Sequence, residues 1–339
     1  MLICGDIGGT KVLLGLAEQQ GGAWRWRLQR RYMCADYPGL DAMFADFMRI
    51  AGDAALYAGD ITGGCLAVAG PVSEHGRTAR LTNLPWEIDA AALAAAHGTG
   101  PIRLVNDFAA AAAGVDAVEP DALVELQHGE PEKRGVRLVL GAGTGLGVAT
   151  LVWHGGSEGG YRPIPGEGGH IGFAPTDETQ IALRRFLGQD GVRVSNEHIV
   201  SGPGLMSVYR FFLGKMPAAP AGALLSALPA QAATPAQVAE QALRDPHGAA
   251  AHAQELFFRV YGQVAGDLAL ALMARGGVYI AGGMVTHLLP QLQASPFLAA
   301  FNAKAPHEAL TRRFPVRLVI APDLGLKGAA RIAAGLPQV

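Results

Sequence analysis

Apolar and polar positions along the chain follow two rhythms. Short runs rich in β-branched residues and leucine alternate with longer alanine-rich stretches of helical spacing, which predicts an α/β protein. Residues 2–4 and 12–16 read as two strands joined by Gly5-Asp6-Ile7-Gly8-Gly9-Thr10-Lys11. A second pair, residues 136–140 and 148–152, is joined by Gly141-Ala142-Gly143-Thr144-Gly145-Leu146-Gly147. In both cases apolar residues resume directly after the glycines, so the following element is expected to be a strand and each unit a hairpin. Further strands are expected at residues 61–69, 101–105, 278–281 and 316–321. Asp89 is placed to cap a helix running to Ala96, and either Asn106 or Asp107 to cap the helix that begins with Phe108 and five alanines. Thr234-Pro235-Ala236-Gln237 has the form of a capping box with proline at the first helical position. A long amphipathic helix is expected at about residues 252–274 and a small-residue helix at 327–334. Residues 216–234, rich in Ala, Pro and Gly, read as a surface excursion.

Length changes this picture by suggesting two domains: 339 residues, half of them apolar, can build two sizeable cores. With 17% charged residues and a net charge of −2, no broad nucleic-acid surface is expected. Three widely spaced cysteines do not suggest a disulfide framework or a metal site, and Cys4 and Cys65 read as small core residues. The N-terminus passes directly into a strand with no basic leader. The apolar region 268–284 is broken by Arg275, Gly276 and Gly277 and is too short to span a bilayer. A soluble cytoplasmic protein without membrane partners is expected.

The glycine turns carry the first candidate chemistry. Glycine lets backbone N–H groups approach an anion closely, and a threonine hydroxyl adds a donor, so two such hairpins suit a polyphosphate. Neither has the G-x-x-x-x-G-K-[ST] pattern of a P-loop, and Leu146 stands where a Rossmann fingerprint needs its last glycine. Asn106-Asp107 falls at the carboxyl end of a strand, where open α/β sheets place ligands; one cap is enough for a helix, so capping does not account for both residues. Glu167-Gly168-Gly169-His170 is too glycine-rich for a helical metal pair and suits hydrogen bonding to a polyhydroxylated ligand. Read alone, Asn83 before Leu84-Pro85-Trp86 marks a turn, and Glu197 is an ordinary surface acid.

Taken in order, these segments resemble the bacterial glucokinase family, within the hexokinase–actin–heat-shock ATPase superfamily. The resemblance runs through Gly5-Asp6-Ile7-Gly8-Gly9-Thr10, Leu104-Val105-Asn106-Asp107-Phe108, Leu140 to Gly147, Gly166-Glu167-Gly168-Gly169-His170, Ser201-Gly202-Pro203-Gly204-Leu205, Ile280-Ala281-Gly282-Gly283 and Gly325-Leu326, nearly the whole chain. The related repressor/kinase sugar family shares the first turn, but its members usually carry a zinc-binding cysteine cluster, and no cysteine follows Cys65. Lys11 stands where many bacterial glucokinases have asparagine; lysine is commoner in the sister family.

The resemblance implies a two-domain actin-like (ribonuclease H-like) α/β fold with a cleft between a small domain, residues 1–110 plus about 320–339, and a large one, 111–319. It implies transfer of the γ-phosphoryl group of ATP to glucose. Gly5, Asp6, Ile7, Gly8, Gly9, Thr10, Lys11, Gly141, Gly143, Thr144 and Gly145 would meet the phosphates, and Gly282 and Gly283 the adenosine. Asp6 would serve Mg2+ indirectly. Asn83, Asn106, Asp107, Glu167, His170 and Glu197 would bind the sugar, with Asp107 as general base. A homodimer acting in glycolysis is also implied. A hexokinase preferring fructose or mannose is the nearest alternative, and a sugar-sensing regulator without turnover another. Such regulators usually carry an N-terminal helix-turn-helix, for which the strand beginning at Met1 leaves no room; an actin-like filament ATPase would not need the sugar residues.

Overall fold

A computed structural model describes residues 1–20, 23–54, 56, 61–155, 159–214 and 234–335. The predicted excursion at 216–234 lies outside these residues except for Thr234. Backbone contacts divide the chain into two compact units. The first comprises Met1–Ala122, Gly160–Pro165 and Ala321–Val339, and the second Leu123–Gly159 and Gly166–Ile320.

The sheet of the first unit is built from β1 (Leu2–Ile7), β2 (Lys11–Gln20), β3 (Ala23–Met33), β4 (Gly63–Val68) and, after the small hairpin β5 (Thr78–Arg80) and β6 (Glu87–Asp89), β7 (Ile102–Asn106). Its order is β3-β2-β1-β4-β7. The first three strands are antiparallel neighbours, whereas β4 and β7 run parallel to β1. One face packs on the helices Leu40–Asp53 and Ala90–His97, through Ile3, Leu14, Leu66, Phe44, Phe47 and Leu93. Asp89 caps the second of these helices, its carboxylate accepting from the N–H groups of Ala91 and Ala92, both at 2.9 Å. The other face buries Cys4 and Cys65, register partners on β1 and β4, against Leu326, Ala329 and Ala330 of the helix Leu324–Ala334. That helix crosses the helix Asp107–Gly114 where only glycine fits: a Cβ on Gly328 would stand 1.7 Å from the Ala110 carbonyl oxygen.

The second unit repeats the plan. Its strands are β8 (Leu123–Gln127), β9 (Arg137–Ala142), β10 (Leu146–His154), β12 (Gly277–Ala281) and β13 (Val316–Val319); β11 (Gly160–Gly166) is shared out by the division, residues 160–165 going with the first unit. The order is β10-β9-β12-β13-β8, with β9 and β10 a hairpin and β12 parallel to both neighbours. The helices Gly202–Phe212, Pro235–Arg244 and Ala249–Leu272 cover one face through a large apolar core. Tyr261 is fully buried there and reaches the Leu140 carbonyl with its hydroxyl at 3.3 Å, which satisfies its polar end. Thr234 and Gln237 form the expected capping box. The long helix begins at Ala249 and ends at Leu272, slightly ahead of its predicted bounds. Among the described residues no helix is long and apolar enough to cross a membrane.

Candidate active site

Both glycine turns are tighter than the sequence suggests. Gly5, Asp6 and Ile7 belong to β1, paired with Leu14, Leu13 and Val12, and the turn proper is Gly8-Gly9-Thr10. Likewise Gly141 and Ala142 complete β9, leaving Gly143-Thr144-Gly145 as the turn. The first residue of each closes it from within: Gly8 N–H donates to the Lys11 carbonyl at 3.0 Å and Gly143 N–H to that of Gly145 at 2.8 Å. The N–H groups of Gly9 and Thr10, and of Thr144 and Gly145, have no acceptor among the described residues. Each turn therefore presents two adjacent donors and a threonine hydroxyl, a small nest suited to an anion. A Cβ on Gly143 would touch nothing within 4 Å, so this glycine is not required by packing. Gly282, at φ 104° against the Ala142 carbonyl, directly follows β12, and Gly283 opens the next short helix.

In the first unit, the strand that leads into the turn places Asp6 two residues before Gly8. Its carboxylate lies against Gly325 at the start of the helix Leu324–Ala334; a Cβ there would stand 2.7 Å from Oδ2. Burial first, and the charge of Asp107 second, raise the Asp6 pKa to about 6, with Lys11 opposing both. Asp107 itself is raised from the ordinary value by burial, against the lowering effect of hydrogen bonds from the Phe108 N–H and Asn106. The open choice of helix cap is resolved here. Asn106 Oδ1 accepts from Phe108 N–H at 3.0 Å and from Ala109 N–H at 3.1 Å, whereas Asp107 Oδ1 shares the Phe108 N–H at 2.8 Å and does not reach Ala109. Asn106 is thus the cap, and the helix does not need the Asp107 carboxylate to begin. Asn83 lies over the first turn: a Cβ on Gly9 would sit 3.1 Å from the Asn83 Cβ.

In the second unit, Leu146 organises the other candidates. Its N–H donates to Glu197 Oε2 at 2.8 Å, and its carbonyl sits so close to Gly169 that a Cβ there would be 2.2 Å away. Glu197 is therefore half-buried and fixed on the hairpin rather than the free surface acid its sequence context suggests. A Cβ on Gly145 would stand 2.5 Å from the same carboxylate, so a side chain there would push Glu197 from its place. Glu167 precedes the turn Gly168–His170, which lies against Val148 of β10, and His170 ends it, with Nε2 and Oε2 3.9 Å apart and both side chains open to solvent. His198, which sequence reasoning passed over, adjoins them: burial lowers its pKa, Glu197 opposes this and His170 adds to it. The only signal for it in the sequence is the spacing Ser195-x-x-His198, a variant of a capping box.

Paired carboxylates with raised pKa values, next to a turn of free N–H donors, can take a hydroxyl proton beside a bound phosphate. Carboxylates and imidazoles on a second turn can read vicinal hydroxyls. No group of three or more His, Cys, Asp or Glu able to cage a metal is present among the described residues.

The Glucokinase family profile matches residues 3–336. The chain is 35% identical to the glucokinase of Nostoc punctiforme, over 99% of both chains. It is 38% identical to that of Chromohalobacter salexigens, over 96% of this chain and 95% of the relative. Among solved structures, the glucokinase of an Antarctic psychrotroph superposes with a TM-score of 0.81 at 26% identity, over 99% of both chains. A ROK family glucokinase from Streptomyces griseus, solved with glucose and AMPPNP, has a TM-score of 0.62 at 19% identity, over 98% of this chain and 99% of that one, and shares the fold. The fold is the actin-like α/β fold of these sugar kinases.

Proposed function

Because the chain belongs to the glucokinase family, we propose that it transfers the γ-phosphoryl group of ATP to the 6-hydroxyl of glucose, giving glucose 6-phosphate and ADP. The observation that carries the residue assignment is the division of labour at β7: Asn106 caps the helix, and Asp107 stands beside Asp6 with a raised proton affinity. In this reading Asp107 accepts the proton of the attacking hydroxyl as transfer proceeds. The turns around Gly8–Thr10 and Gly143–Gly145 bind the β- and γ-phosphates with backbone N–H groups, and Lys11 adds a positive charge beside Asp6. Gly282 and Gly283 support the adenosine, Gly283 with open space where a side chain would stand. Asn83, Asn106, Glu167, His170 and Glu197 hydrogen-bond the sugar.

Two carboxylates that repel each other, opposed by Lys11, fit a divalent ion close by. Asp6 would hold Mg2+ through water, in keeping with the ion's preference for few protein ligands plus phosphate oxygens. When bound, the ion neutralises charge on the phosphates. A homodimer working in the cytoplasm, in glycolysis, is part of the same proposal and rests on the family resemblance. The reading is tested by a coupled assay with glucose, fructose, mannose and N-acetylglucosamine, each with ATP and with ADP. Glucose with ATP should give the highest kcat/KM; preference for another sugar or donor would contradict it.

Two expected outcomes follow from the subsites. Gly143→Val places a side chain in open space, so stability should hold, whereas the KM for ATP should rise by ~10-fold or more. Glu167→Gln should raise the KM for glucose instead, because an acceptor oxygen becomes a donor. Steady-state kinetics on both variants, with a thermal melt, checks the separation; equal damage to both substrates from both variants would contradict it.

A pH dependence also follows. Asp6 and Asp107 act as anions, and both are raised, Asp6 to about 6. kcat should therefore be level near neutrality and fall as pH drops through about 6, where a carboxylate of ordinary pKa would still be ionised. An acid limb that begins only near pH ~4 would contradict the coupled pair.

A further inference from the structure

We propose that His198 is a positioning residue for sugar binding, holding the turn that carries Glu197 through its unprotonated Nδ1. The inference rests on the sugar-binding role given above to Glu197 and His170. The turn Asn196–His198 is a single three-residue 3-10 element, too short to persist through its own hydrogen bonds. It is held by a reciprocal cap: Ser195 N–H donates to His198 Nδ1 at 3.1 Å, and the Ser195 side chain accepts from the backbone of His198. Ser195 Oγ also lies 2.8 Å from the same ring nitrogen. A peptide N–H can only donate, so Nδ1 must be the acceptor, and the neutral ring carries its proton on Nε2.

What this cap fixes is the position of Glu197 between two neighbours. On one side, Asn196 N–H bonds the Ile171 carbonyl at 2.9 Å and Phe173 N–H the Val194 carbonyl at 3.0 Å, tying the turn to the segment that follows His170. On the other side, Glu197 Oε2 accepts from Leu146 N–H, and Ser201 Oγ donates to the Glu197 carbonyl at 2.8 Å. Oε1 carries no hydrogen bond among the described residues and is left for a ligand hydroxyl. Protonating Nδ1 would set Nδ1–H against Ser195 N–H, so that half of the cap would be lost, and the ring would keep Ser195 Oγ, as an acceptor, as its one bond to the cap. The charged groups acting on His198 are Glu197 on its own turn and His170 on the facing one; the helix Gly202–Phe212 behind it supplies no charge to the ring. Burial, the largest influence, favours the neutral ring, against Glu197 and a backbone hydrogen bond with Ser195, which favour the protonated one. The cap is therefore complete when the ring is neutral and loses its Ser195 N–H bond in acid.

The test is steady-state kinetics on the full chain, varying glucose and ATP separately, for the wild type, His198→Ala and His198→Gln. Glutamine supplies the acceptor oxygen of an ordinary capping box and does not titrate. At about pH 7.5, His198→Ala should raise the KM for glucose by ~10-fold, with kcat and the KM for ATP within ~3-fold of wild type, and His198→Gln should restore the glucose KM to within ~2-fold. In acid, the glucose KM of the wild type should rise more steeply than that of His198→Gln. An unchanged glucose KM in His198→Ala, or the same acid rise in wild type and His198→Gln, would overturn the proposal. Should His198→Ala fail to fold, the comparison of wild type with His198→Gln decides alone. A wild type that phosphorylates no hexose would instead overturn the proposed function, and this role with it.

Discussion

Asp107→Asn should lower kcat for glucose phosphorylation by ~10²–10⁴ while leaving the fold and most of the glucose affinity intact. The size follows from the chemistry. A sugar hydroxyl is a weak nucleophile, and an amide cannot take its proton as the phosphoryl group moves across. The retention of the fold follows from the local hydrogen bonds. Asn106 already caps the helix Asp107–Gly114, and the bond from Phe108 N–H to Asp107 Oδ1 remains available to an asparagine oxygen. If Asp107 served only to end the strand and start the helix, asparagine would do the same work and turnover would barely change. Purified variant with a wild-type melting curve and near-normal kcat would remove Asp107 from the mechanism.

Asp6→Asn should make the protein more stable and much less active at neutral pH. Asp6 has its folded-state pKa raised from 3.8 to about 6, so the folded state binds its proton more readily than the unfolded chain does. Above about pH 6 the residue is ionised in both states, and the folded protein bears the full cost of a buried charge. That cost is relieved as pH falls through about 6 toward 3.8, where only the folded state takes up the proton. A shift of roughly two units corresponds to about 3 kcal/mol, which the neutral asparagine should recover at pH 7. The urea midpoint should rise accordingly, and the difference between variant and wild type should shrink in mild acid. kcat should fall by ~10² or more, because the charge that would serve the magnesium ion is gone. A variant both less stable and fully active would contradict this role for Asp6.

Much of this was legible in the sequence because local rules and the fold agree. Both hairpins, the buried strands β4, β7 and β12, the Asp89 cap and the Thr234–Gln237 capping box stand where periodicity and capping chemistry put them. The misses have physical causes. Strand β3 carries Arg25, Arg27, Arg30 and Arg31 on a sheet edge, and an irregularity in its pairing opposite Leu16 and Ala17 breaks the alternation that marks a strand. The last helix starts at Leu324 rather than Lys327, hidden by Gly325, a poor helix former that is needed where Asp6 leaves no room for a side chain. At the candidate site, Asp107 and the glycine turns announced themselves through residue type. Glu197 did not, since its anchor, Leu146 N–H, lies 51 residues away in sequence. His198 was hidden for a similar reason, its partner being a serine of no distinctive character until the turn is formed.

The central claim is that a hexose hydroxyl, activated at Asp107, is the acceptor of the phosphoryl group. The most direct measurement is ADP release from ATP by the wild type and by Asp107→Asn, with and without saturating glucose, alongside the glucose 6-phosphate formed. In the wild type, release should depend on glucose and match glucose 6-phosphate one for one, and it should collapse in the variant. Brisk ADP release without sugar, equal in wild type and variant, would contradict the account and leave an ATPase in its place.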